Sequence, residues 1–145
     1  MTSIDFTIED ALLIAIEAHK GQVDLDGLPV ILHPLAVGLK GKSFDEIVSG
    51  FLHDVIEDTG LTVDDLMSKG VPKSVCDILN ILTHKNGQTY QEYLNGIIRS
   101  GNKIALKLKI NDLEHNISRN DRRTENKERI YQKHNDALKK LKEAI

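Results

Sequence analysis

Apolar residues along this chain recur at three- and four-residue spacing far more than they alternate, and glycine, proline and capping residues separate the runs. That period predicts an all-α protein. Thr7 and Asp10 have the spacing of a capping box, and Ile8, Leu12, Ala15, Ile16 and His19 follow on one face of a first helix. Gly21 to Pro29 has glycines and aspartates and reads as a loop. Pro34 is tolerated in the first turn of a short second helix, which puts His33 near a helix start. Ser43 with Glu46 opens a third helix, expected to run to about Asp58 before Gly60 ends it. On it Ile47, Phe51 and Val55 form one apolar row and Val48, Leu52 and Ile56 the next, a stripe that faces the core.

Thr62 and Asp65 begin a short helix through Met67, and Pro72 begins another whose Val75, Ile78, Leu79 and Leu82 point inward. After the turn at Asn86-Gly87, the residues Tyr90, Tyr93, Leu94, Ile97 and Ile98 mark the next helix. Lys103 to Ile110 alternates as a strand would. Helix is the better reading, because no neighbouring segment offers a strand to pair with, and helical stacking brings Asp112 and Asn116 to one side. A charged stretch from Arg119 to Lys133 leads into a terminal helix carrying Ile130, His134, Ala137, Leu138, Leu141 and Ala144.

Composition narrows the class. With 145 residues, 40% hydrophobic and 28% charged, the chain is expected to form one domain over residues 1–145, large enough to bury its own core. A net charge of −3 gives no general pull toward nucleic acid or an anionic membrane, so neither is an expected partner. The single cysteine, Cys76, cannot form an internal disulfide, and its setting in SVCDILNIL is that of a small buried hydrophobe. The N-terminal MTSIDFTIED has no long apolar run, and a cytoplasmic location is expected.

The candidate chemistry lies in FLHDVIEDTG. On a continuous helix His53 and Glu57, and likewise Asp54 and Asp58, stack one turn apart on the arc opposite the apolar stripe, a face that must border a cleft. His33 and Asp112 complete a plausible metal site. Two imidazoles with two carboxylates suit a borderline divalent ion (Mn²⁺, Fe²⁺, Co²⁺ or Zn²⁺) better than Mg²⁺ or Ca²⁺, and the lack of thiolates argues against structural zinc. Such an ion acidifies water and polarises a phosphoryl oxygen, which is hydrolase chemistry. Lys20, Lys85, Arg119 and Arg122 are the candidate cations for a phosphorylated substrate. No glycine-rich phosphate loop and no serine or cysteine in a nucleophile setting supports a covalent or P-loop mechanism.

Four strings carry a resemblance: AHKGQ at 18–22, GLPVILHPL at 27–35, LHDVIEDT at 52–59 and LKINDLEHN at 108–116. In this order they resemble the HD-superfamily hydrolase domain of RelA/SpoT-type alarmone enzymes, and in length the chain is similar to the stand-alone small alarmone hydrolases. The resemblance implies a compact multi-helix HD-domain bundle. It implies one Mn²⁺ on His33, His53, Asp54 and Asp112, with Glu57 and Asp58 positioning or activating the attacking water and Asn116 beside the nucleotide. The implied reaction removes pyrophosphate from the 3′ position of guanosine tetra- or pentaphosphate, a small-molecule nucleotide substrate.

Departures from the family pattern fall at the substrate pocket: Val23-Asp24-Leu25-Asp26 where a basic residue is usual, Val30 in place of an aromatic, Asn111 in place of a small residue and Leu113 in place of a frequent arginine. Two other readings therefore stand beside the first. One is a phosphohydrolase of a nucleotide monophosphate or NADPH, and the other a non-catalytic nucleotide-binding module.

Overall fold

The computed structural model describes residues 5–145 and contains nine helices among them: α1 (Ile8–His19), α2 (Leu32–Leu39), α3 (Phe44–Leu52), α4 (Val55–Asp58), α5 (Val63–Ser68), α6 (Lys73–Leu82), α7 (Tyr90–Arg99), α8 (Lys103–Arg119) and α9 (Glu125–Glu143). No strand forms among the described residues; the nearest thing is an isolated antiparallel bridge between Val23 and Pro29. The alternating segment from Lys103 is helical, as expected. Capping decides most starts. The side chains of Thr7, Thr62 and Thr89 each accept from a backbone N–H three residues on, and their own backbone N–H groups donate in return to the carboxylates of Asp10, Asp65 and Glu92. Ser43 accepts from Glu46 N, but the Glu46 carboxylate reaches past the cap to Lys42 N. Asn102 takes two first-turn donors, Ile104 N and Ala105 N, at the head of α8.

Burial follows the apolar rows with two exceptions, Ile16 on α1 and Ala144, which is exposed at the C-cap of α9. On α1 the fully buried positions are Ala11, Ala15 and His19, whereas Ile16, expected in the core stripe, is 44% exposed, because its face is one step off the row that meets α3. The core has two parts. One gathers α1, α3, α4 and α5 with Val75, Cys76 and Leu79 of α6. The other gathers α7, α8 and α9 with Ile78 and Leu82 of the same helix. Cys76 is buried and free. Among the described residues, no helix is long and apolar enough to cross a membrane.

The crossing of α2 and α3 is unusually close. A Cβ built on Gly50 would lie 2.6 Å from Gly38 Cα, and one built on Gly38 would lie 2.2 Å from the Phe51 ring. Two glycines let the backbones touch, and this contact sets His33 on α2 against the end of α3.

The segment carrying the HD and ED pairs departs from a continuous helix. It was expected to run unbroken to Asp58, but α3 stops at Leu52 and the four-residue α4 starts at Val55. Asp54 sits at φ −98° and ψ −4°, off helical geometry. The Gly50 carbonyl, which a continuing helix would give to the Asp54 N–H, accepts instead from His53 Nδ1 at 2.7 Å. The four side chains therefore do not stack along one straight helix.

Candidate metal centre

Three segments meet where the two core clusters adjoin: the first turn of α2, the α3–α4 break and the middle of α8. His33 Nε2 lies 2.7 Å from Asp112 Oδ1 and 3.7 Å from Asp54 Oδ2, and His53 Nε2 lies 3.3 Å and 3.2 Å from the same two oxygens. His33, His53 and Asp112 are buried, and one ligand atom from each lies within 4.8 Å of the others. Asp54 opens the group to solvent, its side chain 22% exposed. Bonds of about 2.1 Å from one ion place neighbouring donors roughly 3.0–3.4 Å apart, so this set fits an ion after shifts of a few tenths of an ångström.

The tautomers support the same conclusion. A carbonyl can only accept, so His53 Nδ1 carries hydrogen and a neutral ring presents a bare Nε2 lone pair to two carboxylate oxygens. Lone pairs facing lone pairs need a cation between them, either a proton or a metal. Burial opposes protonation of His53, yet the Asp54 and then the Asp112 carboxylates outweigh it and raise the pKa to about 9. Burial also works against ionised Asp112. The Lys109 ammonium first, then His33 and His53, nonetheless hold its carboxyl well below the usual range. The cluster can hold a divalent metal.

Sequence reasoning left two participants without a role. His115 Nδ1 is 2.7 Å from His33 Nδ1, with the rings stacked at 4.9 Å. Burial, then His33, push His115 down to about 4, so it is neutral at pH 7 and can accept from His33 Nδ1–H, which leaves His33 Nε2 free to ligate. Lys109 places its Nζ 2.8 Å from Asp112 Oδ2. The available signal for both was helical register, since 109, 112, 115 and 116 share a face of α8.

The remaining expected site residues scatter. Glu57 is exposed, and its carboxylate accepts from the His84 backbone N–H in the α6–α7 loop. Asp58 is raised above its ordinary pKa by partial burial, then by Asp54 and Glu57. Its carbonyl accepts from Gln22 Nε2 at 2.9 Å, and Gln22 is in turn held by His19 Nδ1. Glu57, Asp58, His84 and Lys85 line one open concavity. The Lys85 ammonium bonds the Asn80 and Thr83 carbonyls at the end of α6. Lys20 is exposed just beyond α1.

Asn116 donates to Asp112 Oδ1 at 3.3 Å and borders a second concavity with Asp24, Arg119 and Lys127. Arg119 is paired with Asp24 at 3.3 Å. Asp24 also accepts from the Asp26 and Leu28 N–H groups, so the aspartate that departs from the family pattern organises the loop before α2. Arg122 is turned away: it forms two bonds with Glu128 at 2.6 and 2.7 Å and stacks on Tyr131.

No family model matches the chain. Over 76 residues it is 37% identical to the bifunctional (p)ppGpp synthase/hydrolase SpoT of Escherichia coli K12, a match covering 50% of this chain and 11% of that protein. Over 63 residues it is 43% identical to a GTP pyrophosphokinase of Myxococcus xanthus, covering 41% and 8%. Over 124 residues it is 28% identical to a probable GTP pyrophosphokinase of Mycobacterium leprae, covering 76% and 15%. The chain thus matches about a tenth of the length of these curated relatives. Among solved structures, a metazoan ortholog of SpoT described as hydrolysing ppGpp superposes with a TM-score of 0.75 at 20% identity, over 97% of this chain and 88% of that one. The fold is that of this helical hydrolase, and the sequence resemblance to the SpoT-type enzymes holds.

Proposed function

We propose that this chain is a metal-dependent pyrophosphohydrolase that removes the 3′-pyrophosphate of guanosine tetra- or pentaphosphate to give GDP or GTP. The observation that carries the reading is the convergence of two imidazole nitrogens and two carboxylates from three separate segments at 2.7–3.7 Å. Its N/O donor set favours a borderline ion, and Mn²⁺ is the ion we assign. The likeness to SpoT in sequence and to its metazoan ortholog in fold supports the substrate.

In this reading His33, His53, Asp54 and Asp112 hold the ion. Bound there, it supplies a Lewis acid for a phosphoryl oxygen and acidifies a water. The chain's own groups do the rest. Glu57 and Asp58 are the carboxylates we assign to accept or steer the proton of the attacking water: partial burial, then Asp54 and Glu57, raise the Asp58 carboxyl above its ordinary range, and Glu57 is tethered to the His84 N–H of the α6–α7 loop. Asn116 steadies Asp112 Oδ1 from the nucleotide side. Lys85 and Arg119 are cations that line the two concavities for substrate phosphates, and Lys20, exposed beyond α1, is a further candidate; Arg119 must leave Asp24 to serve, which a partly exposed ion pair allows at a cost of about 1 kcal/mol. Arg122, held by Glu128, is the weakest of the five proposed substrate contacts.

The test is product analysis by anion exchange after incubation with Mn²⁺ and guanosine tetraphosphate, NADPH or a nucleoside monophosphate, each with and without chelator. Chelator-sensitive release of GDP and pyrophosphate from the first alone supports the assignment. Turnover of either other substrate in preference moves the reading to a different nucleotide, and no turnover of any moves it to a binding module.

A further inference from the structure

Lysine is seldom buried unless paired, and α8 buries one beside the proposed centre. The Lys109 side chain is 16% exposed, its Nζ 2.8 Å from Asp112 Oδ2 and 5.3 Å from the centre of the Tyr93 ring. Burial disfavours the ammonium, but Asp112 first and then Tyr93 outweigh it and raise its pKa. Its seat is rigid. Tyr93 is 4% exposed and donates its hydroxyl to the Leu82 carbonyl at 2.6 Å, and the His84 ring stacks on it at 5.0 Å.

The consequence is a division of labour between the two oxygens of Asp112. Oδ1 faces His33 Nε2, His53 Nε2 and Asn116 Nδ2, while Oδ2 is taken by Lys109. A carboxylate beside a metal can ligate through one oxygen or two, and a second bond would consume a position that hydrolysis needs open for water. We propose that Lys109 is a positioning residue which, by holding Oδ2, confines Asp112 to a single ligating oxygen and keeps a coordination position free. The inference rests on the metal-centre reading above.

A lysine that merely steadied the fold would behave differently when removed. Neutralising it would weaken metal binding along with stability, whereas the positioning role predicts that the freed oxygen joins the ion and binding holds or tightens.

The experiment uses the full chain as wild type, K109M, K109Q and K109R, titrated with Mn²⁺ by calorimetry and examined as the Co²⁺-loaded protein by visible absorption. Wild type should bind one ion. K109M and K109Q should bind Mn²⁺ within about threefold of wild type or more tightly. Their Co²⁺ bands should weaken, as expected when the coordination number rises, and K109R should return them toward wild type. Unchanged Co²⁺ spectra in the neutral variants, or a loss of Mn²⁺ affinity of about a hundredfold in both, would overturn the proposal while leaving the metal centre standing. Wild type that binds no ion would overturn both. If circular dichroism shows K109M unfolded, K109Q is read in its place, and loss of fold in both would make Lys109 a structural ion and reject the proposal.

Discussion

Gly50→Ala is the perturbation that joins fold to site most directly. The added Cβ would lie 2.6 Å from Gly38 Cα, 2.8 Å from Gly38 N and 3.2 Å from the Val37 carbonyl carbon, all backbone atoms that no rotamer change can move aside. Restoring ordinary contact requires α2 and α3 to part by about 0.8 Å or more. Alanine gains roughly 0.5–1 kcal/mol over glycine inside a helix, whereas forcing a packed crossing apart costs about 1–3 kcal/mol, so the packing effect wins. We expect a net loss of about 1–2 kcal/mol in urea unfolding. Because α2 carries His33 and α3 ends beside His53, the same displacement should weaken Mn²⁺ binding by roughly 10–100-fold in calorimetry. Gly96→Ala is the control. Its Cβ meets nothing nearer than Gln88 Nε2 at 3.9 Å, so only the helix-propensity gain of about 0.5–1 kcal/mol should appear, with metal binding unchanged. A Gly50→Ala protein as stable as wild type and with the same metal affinity would refute the account of how the two helices set the site.

Other expectations follow from single residues. His53→Ala or Asp54→Ala should abolish hydrolysis while leaving helical content in circular dichroism nearly unchanged; retained turnover in either would remove it from the ligand set. Asn102→Ala deletes the acceptor of two first-turn N–H groups of α8 and should cost about 1 kcal/mol, a fall in Tm of roughly 2–4 °C, with a larger loss expected only if α8 frays as far as Asp112. In metal-free protein the folded pKa of His53 is raised from 6.5 to about 9, so its protonated form contributes stability that is full below about 6.5 and disappears as pH rises through about 9. The ion and that proton compete for Nε2. Apparent Mn²⁺ affinity should therefore climb toward tenfold per pH unit, at about the limit for one displaced proton, between pH 6.5 and 8.5, and a flat profile would contradict the tautomer argument.

Much of this architecture is legible from pattern alone. The capping threonines at 7 and 62 announce their helices, and the apolar rows of α3, α6 and α7 are the ones the core uses. His33, His53, Asp54 and Asp112 could be named as a group because residues with these donors are conspicuous beside apolar rows. The break at His53-Asp54 was not legible, since it depends on a ring nitrogen displacing a backbone donor at Gly50, and no helical period records that exchange. Lys109 was hidden for a related reason. In a run of alternating lysines it reads as a solvated charge, and only the packing of Tyr93 over it and Asp112 beside it makes it buried and paired. Arg119 and Arg122 look alike in sequence; their partners, Asp24 across the loop and Glu128 on α9, separate them.

The most direct test of the central claim is a crystal of the protein soaked in Mn²⁺, with anomalous differences collected at the manganese edge. The account predicts one peak per chain at about 2.0–2.3 Å from His33 Nε2, His53 Nε2, one Asp54 oxygen and Asp112 Oδ1. A peak elsewhere, or none at this cluster in crystals exposed to saturating Mn²⁺, would contradict it.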